Sequence, residues 1–298
     1  VRSGWEIVDS STDSDLLTAE FHEGEYWAFG RGGAMIRSLD GGDSWSESGI
    51  SVNHDLTASD SNFGSMAVAG NGGTVLLMKD GVWMDISRPD IFDGGVTDIA
   101  LTGNNSFVVI SGASIWTCIV YDGGGTDWDG RWGDSSAVLS SVSFLDTNNG
   151  LISGENGTIL ATNDGGQTWN YRDAPSDVSA SEIVDVEYYS SIRAYAISND
   201  GHILKSSKEG NVPVGFVWSI VDIEREYPPG GGDEFENGGS SLDFNVSKIE
   251  VLGQFKVMLS GPNGYLAISL DGGNIVSQQM VPVSNETVFN GFAMQDGF

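Results

Sequence analysis

The chain repeats itself, and the length of the repeat constrains the fold more than any other property of the sequence. The unit is clearest after Leu139. Ser141-Val142-Ser143-Phe144-Leu145-Asp146 is followed by Asn148-Asn149-Gly150-Leu151-Ile152-Ser153-Gly154, then by Glu155-Asn156-Gly157-Thr158-Ile159-Leu160-Ala161-Thr162. Asn163-Asp164-Gly165-Gly166-Gln167-Thr168-Trp169 closes it. Each piece is a short β-rich run ended by a turn signal, so one unit reads strand, turn, strand, tight turn, strand, tight turn, strand.

The same grammar returns along most of the chain. Residues 30–38 precede Asp40-Gly41-Gly42-Asp43-Ser44-Trp45, and residues 112–116 precede Asp122-Gly123-Gly124-Gly125-Thr126-Asp127-Trp128. Residues 70–76 precede a shortened Lys79-Asp80-Gly81-Val82-Trp83, residues 198–204 a degenerate Lys208-Glu209-Gly210, and residues 261–267 the triplet Asp271-Gly272-Gly273. First strands are predicted near positions 18, 61, 96, 139, 183, 246 and 288. Most of the gaps are about 40–45 residues, the spacing of a four-stranded propeller blade. The expected fold is an all-β, seven-bladed β-propeller of four-stranded antiparallel blades, a single domain over residues 1–298. Its seventh unit is Val288-Phe289-Asn290-Gly291-Phe292-Ala293-Met294, with Gly4-Trp5-Glu6-Ile7-Val8 as the last strand. The N- and C-termini are thus expected to share the closing blade, which would leave no open sheet edge.

Composition agrees with this reading. Among 298 residues there are 42 glycines, 9 tryptophans and 7 prolines, the balance of many short strands joined by tight turns rather than of helical layers. No window carries helical periodicity with caps. A chain of this length buries roughly 75% of its unfolded surface and needs no staples. Cys118, in the apolar run 115–120, is the one cysteine and reads as a small buried hydrophobe.

The turn that ends each unit has a physical logic. Asp-Gly-Gly supplies glycines that take positive φ without a Cβ clash. The aspartate side chain accepts hydrogen bonds from backbone amides within the turn. The tryptophan three positions beyond the second glycine is placed to pack between neighbouring blades, burying about 200 Å². One unit cannot hide its own apolar faces, so units must stack.

At these residues the sequence resembles the Asp-box, or BNR, repeat family, whose pattern is Ser/Thr-x-Asp-x-Gly-x-Thr/Ser-Trp. Two copies match completely, one with Ser38, Asp40, Gly42 and Trp45 and one with Thr162, Asp164, Gly166 and Trp169 at the defining positions. A third keeps Ser269, Asp271 and Gly273 but has Ile275 and Val276 where the hydroxyl and tryptophan belong. With the Gly-x-x-Gly-x-Ile/Leu-x-x-Ser/Thr segment before the box, the chain is most similar to the photosystem II assembly and stability factor subgroup. That resemblance implies seven blades and a scaffold role, and it need not imply photosynthesis. Photosynthetic members are thought to dock through basic patches, and this chain departs from them.

The departure is one of charge. Forty-two Asp and Glu stand against 13 Lys and Arg, a formal charge of −29. Such a surface repels phosphate backbones, which argues against nucleic-acid partners. It suits salty surroundings or a docking face for basic partners. No apolar run is long enough for a transmembrane helix, so direct membrane insertion is not expected. Sequons at Asn104, Asn156, Asn245 and Asn285 and the acidity together favour an extracellular, cell-surface or virion setting.

Catalytic constellations are missing from the sequence. A sialidase-like reading, which the Asp-box kinship raises, needs an Arg triad and an Arg-Ile-Pro segment, and neither is recognisable. His22, His54 and His202 are scattered without metal-ligand spacing. No catalytic residue and no cofactor is therefore assigned. Two insertions break the period. In residues 122–134, Asp127 and Asp129 beside flexible glycines are candidate Ca²⁺ ligands, although the bidentate Glu of a complete calcium loop does not follow. Trp128 and Trp132 in the same segment are expected to be exposed, free to stack on a sugar or a partner side chain. Residues 222–240, acidic and rich in Gly and Pro, are expected to form a long exposed loop with Tyr227 and Phe235 as docking aromatics. The function expected is a non-catalytic scaffold that docks another protein through its loops in a surface, secreted or virion assembly. The alternative is a carbohydrate-binding or glycoside-cleaving propeller with a glycan partner.

Overall fold

The computed structural model describes residues 7–48, 50–131, 137–208, 216–221, 224–226, 246–251, 256–262, 265–270 and 275–278. They form an all-β propeller fold of antiparallel blades. Blade 1 comprises β1 (Leu16–His22), β2 (Glu25–Gly30), β3 (Met35–Ser38) and β4 (Ser46–Glu47). Blade 2 comprises β5 (Leu56–Asn62), β6 (Ser65–Gly70), β7 (Val75–Lys79) and β8 (Val82–Asp85). Blade 3 holds β9 (Asp98–Gly103), β10 (Ser106–Ser111), β11 (Ser114–Val120) and β12 (Thr126–Arg131). Blade 4 holds β13 (Leu139–Phe144), β14 (Gly150–Gly154), β15 (Thr158–Thr162) and β16 (Asn170–Tyr171). Blade 5 is β17 (Ile183–Ser190), β18 (Arg193–Ser198), β19 (Ile203–Lys208) and β20 (Phe216–Ile220). Blade 6 has five strands, β21 (Glu224–Glu226), β22 (Lys248–Val251), β23 (Val257–Ser260), β24 (Leu266–Ser269) and β25 (Ile275–Gln278), in the order β21-β25-β24-β23-β22.

The expectation of seven blades is therefore corrected: the described residues form six. The six predicted strand starts from position 18 to position 246 each fall within or beside the first strand of a four-stranded run. The seventh unit, residues 288–294 with 4–8, lies outside the described residues except for Ile7 and Val8, which are in no strand. The physical reason is that a blade needs four strands and three turns. The seventh unit offered apolar runs without the Gly-x-x-Gly turn or the Asp-box turn that mark the other units. Apolar runs alone define strands, not a blade.

By contacts the chain divides into two compact units, one of Val8–Ile152, Ala161–Asn170 and Gly291–Phe298, the other of Val1–Ile7, Ser153–Leu160 and Tyr171–Asn290. Within the first, successive blades are stitched through their leading strands. The Leu101 amide donates to Asp60 Oδ2 at 2.6 Å and the Val142 amide to Asp98 Oδ2 at 2.8 Å. Thr18 and Ser59 share a hydrogen bond of 2.6 Å, and the Ser59 hydroxyl donates to Glu20 Oε1 at 2.9 Å. In the second unit the Ile249 amide donates to Asp185 Oδ2 at 2.8 Å. A carboxylate on one leading strand thus accepts the backbone N–H of the next, satisfying amides where no ladder runs between blades. Asp98 and Asp185 are themselves buried.

The middle strands carry the core. β6, Ser-Met-Ala-Val-Ala-Gly, is buried along its whole length, as are β14 and β15, so these read as continuous small and apolar runs. The fourth strands β4 and β16 are exposed. Between blades 1 and 2 the core is Trp27, Phe29, Met66 and Leu76 with Trp83, and between blades 2 and 3 it is Leu77, Phe92, Leu101 and Phe107 with Trp128. The indole N–H groups of Trp83, Trp128 and Trp169 are buried without an oxygen or nitrogen partner. Each ring meets an aromatic neighbour edge-on: Trp27 at 5.7 Å, Phe107 at 5.5 Å and Phe144 at 5.9 Å between centroids. Edge-to-face contact recovers part of what a lost hydrogen bond would supply.

Candidate functional site

The two complete Asp boxes close the β3–β4 and β15–β16 hairpins, and they share one hydrogen-bond pattern. In the first, the Ser38 hydroxyl donates to Asp40 Oδ1 at 2.8 Å and accepts the Gly42 amide at 2.8 Å. Asp40 also accepts the Ser44 amide at 2.9 Å and the Ser44 hydroxyl at 2.6 Å. In the second, Thr162 donates to Asp164 at 2.7 Å and accepts the Gly166 amide at 3.1 Å, while Thr168 gives Asp164 its amide at 2.9 Å and its hydroxyl at 2.6 Å. Hydrogen bonds from Ser44 and then Ser38 hold the Asp40 carboxyl down at about 2. At Asp164 burial pushes the carboxyl up, but the bonds from Thr168 and Thr162 outweigh it and the net shift is downward. Carboxylates so held are fixed acceptors and not proton-transfer groups for neutral pH.

Two other turns diverge in opposite directions. Between β18 and β19, Ser198, Asp200 and His202 rebuild the pattern without the motif. Ser198 donates to Asp200, the His202 amide donates to Ser198 Oγ at 3.0 Å, and His202 Nδ1 lies 2.8 Å from Asp200. The Ser181 hydroxyl adds a bond of 2.6 Å to Asp200. Burial opposes ionisation of Asp200, yet His202, Ser181 and Ser198 together bring it down to about 2. Between β7 and β8 the box is reduced to Asp80-Gly81, both at positive φ (51° and 73°), the signature of a two-residue hairpin turn.

Where blade 2 lacks its box, a groove of about 480 Å³ opens between blades 1 and 2. Trp27, Met78 and Trp83 line it together with Ile50, and Val82 at the short turn is 63% exposed. The β1–β2 turn brings Glu23 and Glu25 to the same groove, with Arg37 from β3. The Arg37 guanidinium sits 5.8 Å from the centre of the Trp27 ring and 3.6 Å from Glu25. His22, also lining the groove, is buried, and its Nδ1 lies 2.9 Å from Ser61 Oγ. Burial lowers its pKa against the opposing pull of Glu23 and Glu25. None of these residues was singled out in the sequence as a binding residue. The one sign of the groove there is the shortened Lys79-Asp80-Gly81-Val82-Trp83.

The other sequence candidates fall elsewhere. Trp128 is not free of the fold: half-buried in β12, it packs on Phe92 at 5.4 Å and Phe107 at 5.5 Å. The segment 122–134, expected as an insertion, supplies through β12 the regular fourth strand of blade 3, with Trp128 opposite Cys118. Asp127 and Asp129 are exposed on one face of that strand. Among the described residues no group of three or more His, Cys, Asp or Glu could hold a metal ion. Trp132, Tyr227, Phe235, Asp271 and Gly273 lie outside the described residues, while Ser269 is buried at the end of β24. Residues 224–226 of the second insertion form β21, which pairs in parallel with β25, so this part of 222–240 is a strand and not loop. Burial pushes the Cys118 thiol up to about 12, which leaves it unreactive. No helix among the described residues is long and apolar enough to cross a membrane.

Comparison with known proteins bears on the family. The sequence model described as "Photosynthesis system II assembly factor YCF48" matches residues 104–207 and 126–240. No curated protein matches the chain by sequence. Among solved structures, YCF48 bound to D1 peptide is similar at 18% identity, with 94% of this chain and 85% of that one covered and a TM-score of 0.67. YCF48 from Cyanidioschyzon merolae is similar at 16% identity, 95% and 91% coverage and a TM-score of 0.70. Virginiamycin B lyase from Staphylococcus aureus, at 12% identity, 94% and 88% coverage and a TM-score of 0.70, shares the fold as well. At such identities structural likeness speaks for the fold alone. Taken together, the chain has a propeller fold, and over residues 104–240 its sequence is similar to the photosystem II assembly-factor type of repeat.

Proposed function

We propose that this protein is a non-catalytic scaffold that docks another protein. The observation that carries this reading is the fate of its motif carboxylates. Asp40 and Asp164 are saturated by hydrogen bonds inside their own turns, and the Asp40 carboxyl is held at about 2. These residues build rigid turns for display, a use of acid side chains opposite to that of a general acid or base. Likeness to a propeller solved with a D1 peptide supports a protein or peptide as the thing displayed to. Fold alone decides nothing, since virginiamycin B lyase shares it.

The test is cross-linking mass spectrometry on protein purified gently from its native source. Coupling should join carboxylates of this chain to lysines of the partner, because the chain offers 42 acids and few lysines of its own. A stoichiometric partner protein is the expected result. A clean monomer that is thermally stabilised by a glycan panel would instead support the carbohydrate-binding alternative, since a ligand that binds the native state raises apparent stability.

A further inference from the structure

We propose that the groove between blades 1 and 2 is a docking site for a cationic peptide segment of a partner, with Lys or Arg side chains flanking an aliphatic anchor. This rests on the scaffold reading and adds to it a place and a ligand chemistry. The short β7–β8 turn, Asp80-Gly81, borders the groove with Gly81 and Val82 in its lining, where blades 1 and 4 carry a full Asp box. Its apolar part is offered by the half-buried Trp83 and Ile50 and by Val82, 63% exposed, over a floor of buried Trp27 and Met78. Covering Val82 removes exposed apolar surface from water.

Charge selects the occupant. Glu23 and Glu25 stand at the groove, and its one cation, Arg37, is already engaged by Glu25 at 3.6 Å and by the Trp27 face at 5.8 Å. An incoming Lys or Arg meets Glu23 and shares Glu25, whereas an acidic segment meets repulsion. Beyond the groove, the formal charge of −29 steers cationic segments toward the molecule and turns anionic ones away. A nucleic-acid strand is excluded on the same ground.

The experiment uses the full chain and two probes, an acetylated and amidated hexapeptide Gly-Arg-Leu-Lys-Leu-Gly and its counterpart with Glu at both cationic positions. Binding is followed by indole N–H resonances in two-dimensional NMR at about 0.15 M salt, where nonspecific surface attraction is screened. The cationic probe should shift the Trp27 and Trp83 resonances, assigned through W27F and W83F. The anionic probe should shift neither. Val82→Arg places a charge and bulk at the mouth of the groove on an exposed position and should weaken binding about tenfold or more. Val217→Arg, an equally cationic change at an exposed position of blade 5, should leave it within about twofold. Equal losses in V82R and V217R, or shifts confined to Trp128, Trp169 and Trp218, would overturn the groove. If cross-linking captures a partner whose links avoid Glu23 and Glu25, the groove fails while the scaffold stands. If the probe seats in the groove but no partner is captured, the scaffold reading is the one that fails.

Discussion

The two complete Asp boxes are the same turn in different surroundings. Each has a hydroxyl that caps a glycine amide and an aspartate that collects the amide and hydroxyl four residues on. In blade 4 the turn is packed: Trp169 is 7% exposed and meets Phe144 edge-on at 5.9 Å. A Cβ on Gly166 would come within 3.1 Å of Val108 and 3.4 Å of Thr117, both in blade 3. In blade 1 Trp45 is half-exposed and a Cβ on Gly42 would meet nothing within 4 Å. The motif therefore writes the hydrogen bonds, and the neighbouring blade decides whether they sit in a core. Eight residues of sequence determine the first and are silent on the second.

The largest effect should separate the tryptophans. Trp169→Ala empties a packed inter-blade site and should cost about 3–5 kcal/mol, whereas Trp45→Ala should cost about 1 kcal/mol or less. Equilibrium denaturation in urea measures both, and equal losses would mean that the blade 1 turn is as packed in solution as the blade 4 turn. The glycines come next. Gly42 and Gly166 both have positive φ, 91° and 86°, so alanine at either is strained by about 1–2 kcal/mol. At Gly166 the close approach of Val108 adds to that strain, so G166A should unfold at lower urea than G42A. If the two alanine variants unfold together, neighbour packing contributes nothing at that position.

How far the sequence carried these distinctions follows from what a repeat records. Strand order, the four-stranded unit, six of the strand starts and the Asp-box hydrogen bonds were legible, because each is enforced within about 40 residues of chain by turn chemistry and apolar runs. What depends on a neighbouring blade was not. Trp128 looked like a free aromatic in a glycine-rich insertion, yet it pairs opposite Cys118 and fills the space against Phe92, a residue from the linker before β9. Asp60, Asp98 and Asp185 bond amides 41, 44 and 64 positions away, distances at which no local pattern operates. The groove likewise joins residues of two blades, Trp27 and Trp83, and its one sign in the sequence is the shortened turn at Asp80-Gly81. The seventh blade was overcounted for the converse reason: apolar spacing persisted where the turn residues did not.

The smallest effect concerns protonation, and it compares the carboxylates themselves. Asp40 falls to about 2 because Ser44 and Ser38 bond its charged form at a site open to solvent. Asp164 is lowered against the opposing effect of its burial. A carboxyl whose folded pKa lies below its unfolded one contributes stability that is complete above the ordinary carboxylate range and disappears as pH falls through the folded value. For Asp40 that window runs from the ordinary aspartate value of 3.8 down to about 2. The stability gap between the native chain and Asp40→Asn should thus be flat above about pH 5 and close as pH falls toward 2. Carboxyl carbon resonances give the midpoints directly, with Asp40 and Asp200 both expected at about 2 although burial is the largest influence at Asp200 and a lesser one at Asp40. An Asp40 midpoint in the ordinary range would show that the exposed turn opens in solution while its buried counterpart holds, and it would turn a difference of packing into a difference of structure.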